Sequence, residues 1–298
     1  MKNINQVSII GAGTMGNGIA HVFAQFGFKV ALIDIDEDRL KNGLKNIEKN
    51  IDRQILKHQL EDSEKALILS RIAPFNNIKN GVVSADLVIE AATENYEVKK
   101  NIFQEIDNYA PKDAILASNT SSISITKIAA ETQRPSLVIG MHFMNPVPIM
   151  KLVEVIKGYA TSQETVTSII ETVAHLEKIA VEVKDYPGFT ANRILLPMIN
   201  EAIFTLFEGV AGVSDIDTVM KLGMAHPMGP LQLADFIGLD VCLSVMQVLQ
   251  EGIGDDKYRP CPLLVNMVNA GYLGKKTGEG FYKYEHNSKD FTVSKQFE

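Results

Sequence analysis

The stretch HFMNPVPIMKLVEVI, residues 142–156, carries the side chains a proton transfer needs. His142 stands just before a proline-containing turn, and Glu154 follows twelve residues on inside an apolar, β-rich run. Asn145-Pro146-Val147-Pro148 cannot continue a strand ladder, because proline has no backbone donor. The chain must therefore turn, and IMKLVEVI must begin a new element. A strand turned back on its neighbour could bring Glu154 against the imidazole. A carboxylate on one ring nitrogen fixes the tautomer and stabilises imidazolium, and the other nitrogen is left to exchange a proton with a ligand. This is the base-and-orienter half of a triad, without a nucleophile. A lone histidine at a strand end is often structural, and an acid in an apolar strand often faces solvent; the pairing carries the reading. His21, His58, His175, His226 and His286 have no acid in comparable context and read as surface or packing residues.

A second chemical feature is GAGTMG: Gly11, Ala12, Gly13, Thr14, Met15 and Gly16. It has the GxGxxG spacing, follows the apolar VSII and opens a helical pattern. In a dinucleotide site the first glycine makes the turn, the second admits a pyrophosphate and the third lets helix and strand approach. Asp34 follows about twenty residues after the turn, where an acid accepts hydrogen bonds from ribose hydroxyls and repels a 2′-phosphate. The turn with Asp34 implies NAD in preference to NADP; the competing reading is a glycine-rich turn with a surface aspartate.

In the following helical segment Lys41, Lys45, Lys49, Arg53 and Lys57 recur every fourth residue, above a packing face of Leu40, Leu44, Ile47 and Ile51. Such a stripe is either a solvated face balanced by Glu48 and Asp52 or a rail for a polyanionic ligand.

These groups need a scaffold. The chain has 298 residues, so two domains are expected. Its 46% hydrophobic and 22% charged content is that of a globular protein. A net charge of −7 argues against a general nucleic-acid or membrane-surface role, so any anionic ligand needs local positive charge. The two cysteines, Cys242 and Cys261, are far apart and suggest a reducing cytoplasm, with neither disulfide framework nor metal site. No signal peptide or membrane-length apolar run is expected.

Strand, glycine turn, helix and strand over residues 7–35 form one parallel βαβ unit. A long helix is expected over 36–61 with Asp36 as N-cap. Further buried strands are expected at 86–93, 114–120 and 137–143, with helices near 95–109 and 124–132. This alternation predicts an α/β, Rossmann-like domain with a mostly parallel sheet and helices on both faces. From about 189 only helices are expected, at 189–208, 214–223, 230–250 and 260–270. Tyr186-Pro187-Gly188 marks the break. The expected domains are 1–187, binding the dinucleotide, and 188–298, all-α.

GAGTMG, SNTSS, HFMNPVPIMKLVEVI, PGFTANR and GKKTGEGFYKY, in this order, resemble the short-chain L-3-hydroxyacyl-CoA dehydrogenases over essentially the whole chain, above all the bacterial members acting on 3-hydroxybutyryl-CoA. The resemblance implies an NAD domain, a helical domain for substrate and dimerisation, an acyl-CoA substrate, and hydride transfer between (S)-3-hydroxyacyl-CoA and 3-ketoacyl-CoA. It makes His142 the catalytic histidine and Glu154 its partner. Ser121 matches a serine contacting substrate and cofactor, and Asn192 an asparagine supplied by the second domain. Asn145 matches a residue near the nicotinamide; Glu94, Lys99 and Lys276 match further cofactor contacts. Lys57 matches a lysine near the CoA moiety, while Asn50 stands where some members have a serine. Taken one at a time, Ser121, Asn145 and Asn192 would more often be read as loop or cap residues. Two other readings are a dehydrogenase of free β-hydroxyacids, which relies on a lysine rather than this pair, and a non-catalytic NAD-sensing relative.

Overall fold

In the computed structural model the described residues are 4–285 and 290–298. Two compact units divide at Tyr186/Pro187. In the first, the elements run β1 (Gln6–Ile10), α1 (Thr14–Gln25), β2 (Lys29–Ile33), α2 (Glu37–Leu56), α3 (Asp62–Ser70), β3 (Ile72–Phe75), α4 (Ile78–Val82) and β4 (Leu87–Glu90). They continue with α5 (Tyr96–Tyr109), β5 (Ile115–Ser118), α6 (Ile125–Ala129), β6 (Val138–Phe143), β7 (Leu152–Lys157), α7 (Gln163–His175) and β8 (Ile179–Lys184).

The strands form one eight-stranded sheet in the order β3-β2-β1-β4-β5-β6-β7-β8. All neighbours are parallel except β6 and β7. The order reverses between β1 and β4, and the glycine turn leaves β1 at this switch point, where open α/β sheets bind ligands. The central strands are buried on both faces, so they read as continuous apolar runs.

The helix expected over 36–61 is two helices. Asp36 caps α2 by accepting from the Asp38 and Arg39 amides, but α2 ends at Leu56 and His58 takes a left-handed φ of 54°. Glu61 then caps α3 in a capping box with Glu64.

The second unit contains α8 (Ala191–Phe207), α9 (Val213–Thr218), α10 (Pro230–Ile237), α11 (Leu239–Ile253) and α12 (Pro262–Asn269) around a core that includes Leu196, Leu231, Met246, Leu264 and Phe281. Two expectations are corrected here. The helix expected over 230–250 is broken at Gly238, whose φ of 101° suits glycine, and α10 and α11 meet at 97°. The unit is also not purely helical: β9 (Tyr282–Tyr284) pairs antiparallel with β10 (Phe291–Val293). Two buried carboxylates anchor β9. Asp217 accepts from the Tyr282 hydroxyl at 2.7 Å, and Asp235 accepts from the Phe281 and Tyr282 amides and the Tyr284 hydroxyl. Among the described residues no single helix is long and apolar enough to cross a membrane.

Candidate active site

β6 and β7 are antiparallel, and their register sets His142 directly opposite Glu154. Side chains at such a pair lie on one face within reach of each other. The imidazole Nδ1 is 2.8 Å from Glu154 Oε2, with the histidine 9% and the glutamate 2% exposed. With the carboxylate ionised, Nδ1 carries the donated proton and Nε2 is the basic nitrogen. The loop of residues 144–151 between the strands contains the Asn145–Pro146 bond, which is cis, and leaves Asn145 exposed.

At the switch point the three glycines differ. A side chain on Gly11 would meet the Ala91 carbonyl at 2.6 Å, and one on Gly16 would collide with the Gly11 carbonyl, so both are required by the protein itself. Gly13 is different. Its φ of −65° suits any residue, and a Cβ there meets nothing within 4 Å. The space over Gly13 therefore has no protein occupant to explain it. It lies at the N-terminus of α1, which has no side-chain cap and no acid in its first turn, so its amides and positive dipole end suit a pyrophosphate. Thr14 is exposed beside it, while Ala12 is buried and Met15 packs on the core. Asp34, 8% exposed, accepts from the Ala12 amide at 2.9 Å and from the Asp36 amide at 3.1 Å. It fixes the turn as well as standing where a ribose would be recognised. These features fit a dinucleotide.

The C-terminal ends of β4 and β5 are tied by a second carboxylate system. Glu90 is fully buried, and both its oxygens accept from the Lys99 ammonium at 2.7 Å; Ser118 Oγ and the Ala92 amide also donate to it. Lys99 is 1% exposed and its second acid is Glu94, at 3.6 Å. Glu94 Oε1 in turn accepts from Thr120 Oγ1 and from the amides and hydroxyls of Ser121 and Ser122, at 2.7–3.1 Å. Burial opposes its charge, but Lys99 and the Thr120 and Ser121 donors hold its carboxyl below the usual glutamate value. Ser121 thus sits on an ionised carboxylate at the C-terminal end of β5, the end at which His142 lies on the parallel β6, and Asn119 Oδ1 ties the two strand ends by accepting from the Phe143 amide at 2.9 Å.

Glu90, Ser118 and Asn119 were not singled out from sequence. The signal was present for Glu90: an acid closing the apolar run DLVIE, the same anomaly that exposed Glu154.

The basic stripe is exposed over its whole length. Its expected counterions are engaged elsewhere: Glu48 and Asp52 pair with Lys65 of α3 at 3.1 and 2.6 Å. Lys41 is near Glu37 and Asp38, and among the described residues no ion pair is recorded for Lys45, Lys49 or Lys57. Arg53 and Lys57 join Lys151 and Lys178 around a cavity of about 480 Å³ that also meets Pro146 and Ile149, with Glu177 as its acid. The remaining positions lie in the second unit: Asn192 in the first turn of α8, and Lys276 ion-paired with Asp240.

His21 is fully buried in α1, and burial pushes its pKa down to about 4, so it packs as a neutral ring. His58 and His175 are exposed, His226 is half-buried in the second unit, and His286 lies outside the described residues.

Residues 6–186 match the family model of the 3-hydroxyacyl-CoA dehydrogenase NAD binding domain, and residues 188–284 match the 3-hydroxyacyl-CoA dehydrogenase C-terminal domain. The chain belongs to the 3-hydroxyacyl-CoA dehydrogenase family. It is an NAD-dependent oxidoreductase of this class, and the family implies an acyl-CoA substrate. It is 56% identical over 281 residues to a 3-hydroxybutyryl-CoA dehydrogenase of Bradyrhizobium diazoefficiens, covering 94% of this chain and 96% of that protein. It is 44% identical over 289 residues to the human mitochondrial hydroxyacyl-coenzyme A dehydrogenase, covering 95% and 92%. The crystal structure of (S)-3-hydroxybutyryl-CoA dehydrogenase PaaH1 from Ralstonia eutropha matches with a TM-score of 0.92 at 49% identity, over 95% of this chain and 100% of that one.

Proposed function

We propose that the enzyme interconverts (S)-3-hydroxybutyryl-CoA and acetoacetyl-CoA, with His142 and Glu154 as its acid–base dyad. The observation that carries the mechanism is the 2.8 Å bond between Nδ1 and Glu154; the names of the relatives support the four-carbon substrate. NAD, when bound, supplies the hydride acceptor. In the oxidative direction Nε2 of His142 takes the proton of the 3-hydroxyl group as the carbinol hydrogen leaves. Glu154 stabilises the imidazolium, and in reduction the same nitrogen returns the proton. Gly11–Gly16 and Asp34 hold the dinucleotide, with Glu94, Lys99, Asn145 and Lys276 as further supports. The burial of Lys99 makes Glu94 its route to the ligand. Ser121 and Asn192 orient the substrate oxygens.

The exposed cations of α2, ending at Lys57, suit the phosphates of CoA. A requirement for that charge also separates this reading from an enzyme of free hydroxyacids. Residues 1–187 serve as the NAD domain and 188–298 as the substrate and dimerisation domain. A homodimer through the second unit is supported by its exposed apolar side chains, among them Ile194, Val210, Leu222 and Met224 at 61–81% exposure. A cytoplasmic role in fatty-acid or butanoate metabolism completes the proposal.

The test is NADH oxidation with acetoacetyl-CoA against free acetoacetate, each repeated with NADPH. Turnover of the thioester with NADH supports the reading. Equal turnover of the free acid, or none with any 3-ketoacyl-CoA despite cofactor binding, contradicts it.

A further inference from the structure

The loop that joins His142 to Glu154 has more acceptors than donors. Pro146 and Pro148 contribute carbonyls but no N–H groups. The Ile149 and Met150 amides both turn back to the Pro146 carbonyl at 3.0 Å. The carbonyls of Val147 and Met150 are instead taken by one side chain from another part of the sheet: the Lys178 ammonium donates to both at 2.7 Å. Lys178 immediately precedes β8, the strand paired with β7. The Ile179 amide next to it bonds the Lys151 carbonyl at 2.7 Å, so both ends of the loop's return are fixed from the same place. The lysine is half-buried, and desolvation pushes its pKa down, which marks an ammonium taken partly out of water to make these bonds. On the other side, Val147 is 2% exposed and packs closely on α1 at Gly18, where an added Cβ would lie 3.0 Å from Val147 Cβ. The loop is therefore held between the dinucleotide helix and one cation.

We propose that Lys178 is a positioning residue for the hydride-transfer reaction: by binding the carbonyls of Val147 and Met150 it fixes the loop that connects the two members of the dyad and presents Asn145. The proposal rests on the functional reading above. Lys178 works through the loop and does not touch the reacting atoms. Its place beside the cavity lined by Arg53 and Lys57 offers a rival role, direct contact with the anionic part of CoA, and the two roles differ in what they do to kinetics.

Lys178→Met keeps the length and removes the donors. It is assayed beside wild type and Lys178→Arg with two substrates: acetoacetyl-CoA, and acetoacetyl-N-acetylcysteamine, which lacks the nucleotide. Positioning predicts that kcat falls on the order of tenfold or more with both substrates, since small misplacements of reacting groups are costly. It also predicts that Lys178→Arg recovers most of the loss, and that the Ile149 and Met150 amides exchange hydrogen faster in Lys178→Met. A rise in KM for acetoacetyl-CoA alone, with kcat and the truncated thioester unchanged, would make Lys178 a CoA contact and overturn the proposal. So would a lowered melting temperature with unchanged kcat and exchange. If Lys178→Met does not fold, Lys178→Gln, which keeps an amide donor, must still lower kcat with both substrates; unchanged kcat overturns the proposal. Inactive wild type with acetoacetyl-CoA defeats the functional reading and this proposal together, whereas active wild type with unchanged variants defeats this one alone.

Discussion

Replacing Glu154 by glutamine keeps the shape of the dyad and removes its charge. In the native pair the buried carboxylate faces the imidazole, which on the proposed mechanism becomes cationic as it takes the substrate proton. With the nitrogen and oxygen 2.8 Å apart, the centres of charge are roughly 4 Å apart, and an effective dielectric of about 20 gives about 4 kcal/mol of attraction. At about 1.4 kcal/mol per factor of ten, losing it slows proton transfer by about 10³-fold. The small exposure of His142 reduces this, so a loss of about 10²–10³ in kcat is expected, within the usual range for general base catalysis. The glutamine amide can instead donate to Nδ1 and invert the tautomer, which adds to the loss. The assay is steady-state NADH absorbance with acetoacetyl-CoA across pH, alongside NADH binding by fluorescence. NADH affinity should hold and the pH–rate profile should change. A Glu154→Gln enzyme with kcat within about threefold of wild type and the same profile would refute the charge argument.

Other outcomes follow from the same geometry. Gly13→Ala should weaken NADH binding on the order of tenfold or more without lowering the melting temperature, because its added Cβ meets no protein atom within 4 Å; unchanged affinity by fluorescence titration would remove the pyrophosphate from that position. Asp34→Ala should lower the preference for NADH over NADPH in kcat/KM, but at a cost in stability, since the Ala12 and Asp36 amides lose their acceptor. Lys57→Glu should raise KM for acetoacetyl-CoA and leave the N-acetylcysteamine thioester unaffected, with added salt reducing the difference. Asp235 is raised from 3.8 to about 6 by burial, so the folded state holds its proton more tightly than the unfolded chain does. Its contribution is present in full below about pH 4 and is lost as pH rises through about 6, costing the second unit roughly 3 kcal/mol. Urea unfolding of Asp235→Asn should show a flatter pH dependence over that window, and an identical slope would contradict the assignment.

The βαβ start, the capping of α2 and the pairing of His142 with Glu154 were legible because each rests on a local rule. Glycine spacing marks the turn, an aspartate marks the helix start, and prolines break a ladder between two apolar strands. The return of Glu154 to His142 also needed the register to come out even, which the structure supplies. β3 was not anticipated because Pro74 lies inside it, acceptable only because this strand is at the edge of the sheet. β8, on the other edge, is largely exposed and lacks the apolar run that identified the central strands. Of the two readings of the stripe on α2, balance by Glu48 and Asp52 loses ground only in tertiary structure: Lys65 lies on α3, and nothing local reveals that α3 folds back to take both acids. The β9–β10 pair depends on Asp217 and Asp235 reaching across tens of residues, a tertiary effect that short-range pattern does not carry. At the site, residues with a chemical anomaly were visible, while those that only hold them in place, Ser118 and Asn119, have no anomaly to show.

The central claim is that the His142 imidazole moves the substrate proton in step with hydride transfer. Single-turnover oxidation of enzyme-bound NADH by acetoacetyl-CoA, in His142→Ala beside wild type, tests it most directly. The dyad mechanism predicts a loss of about 10²–10⁴ in the hydride-transfer rate with NADH affinity preserved. A near wild-type rate in that variant would contradict it.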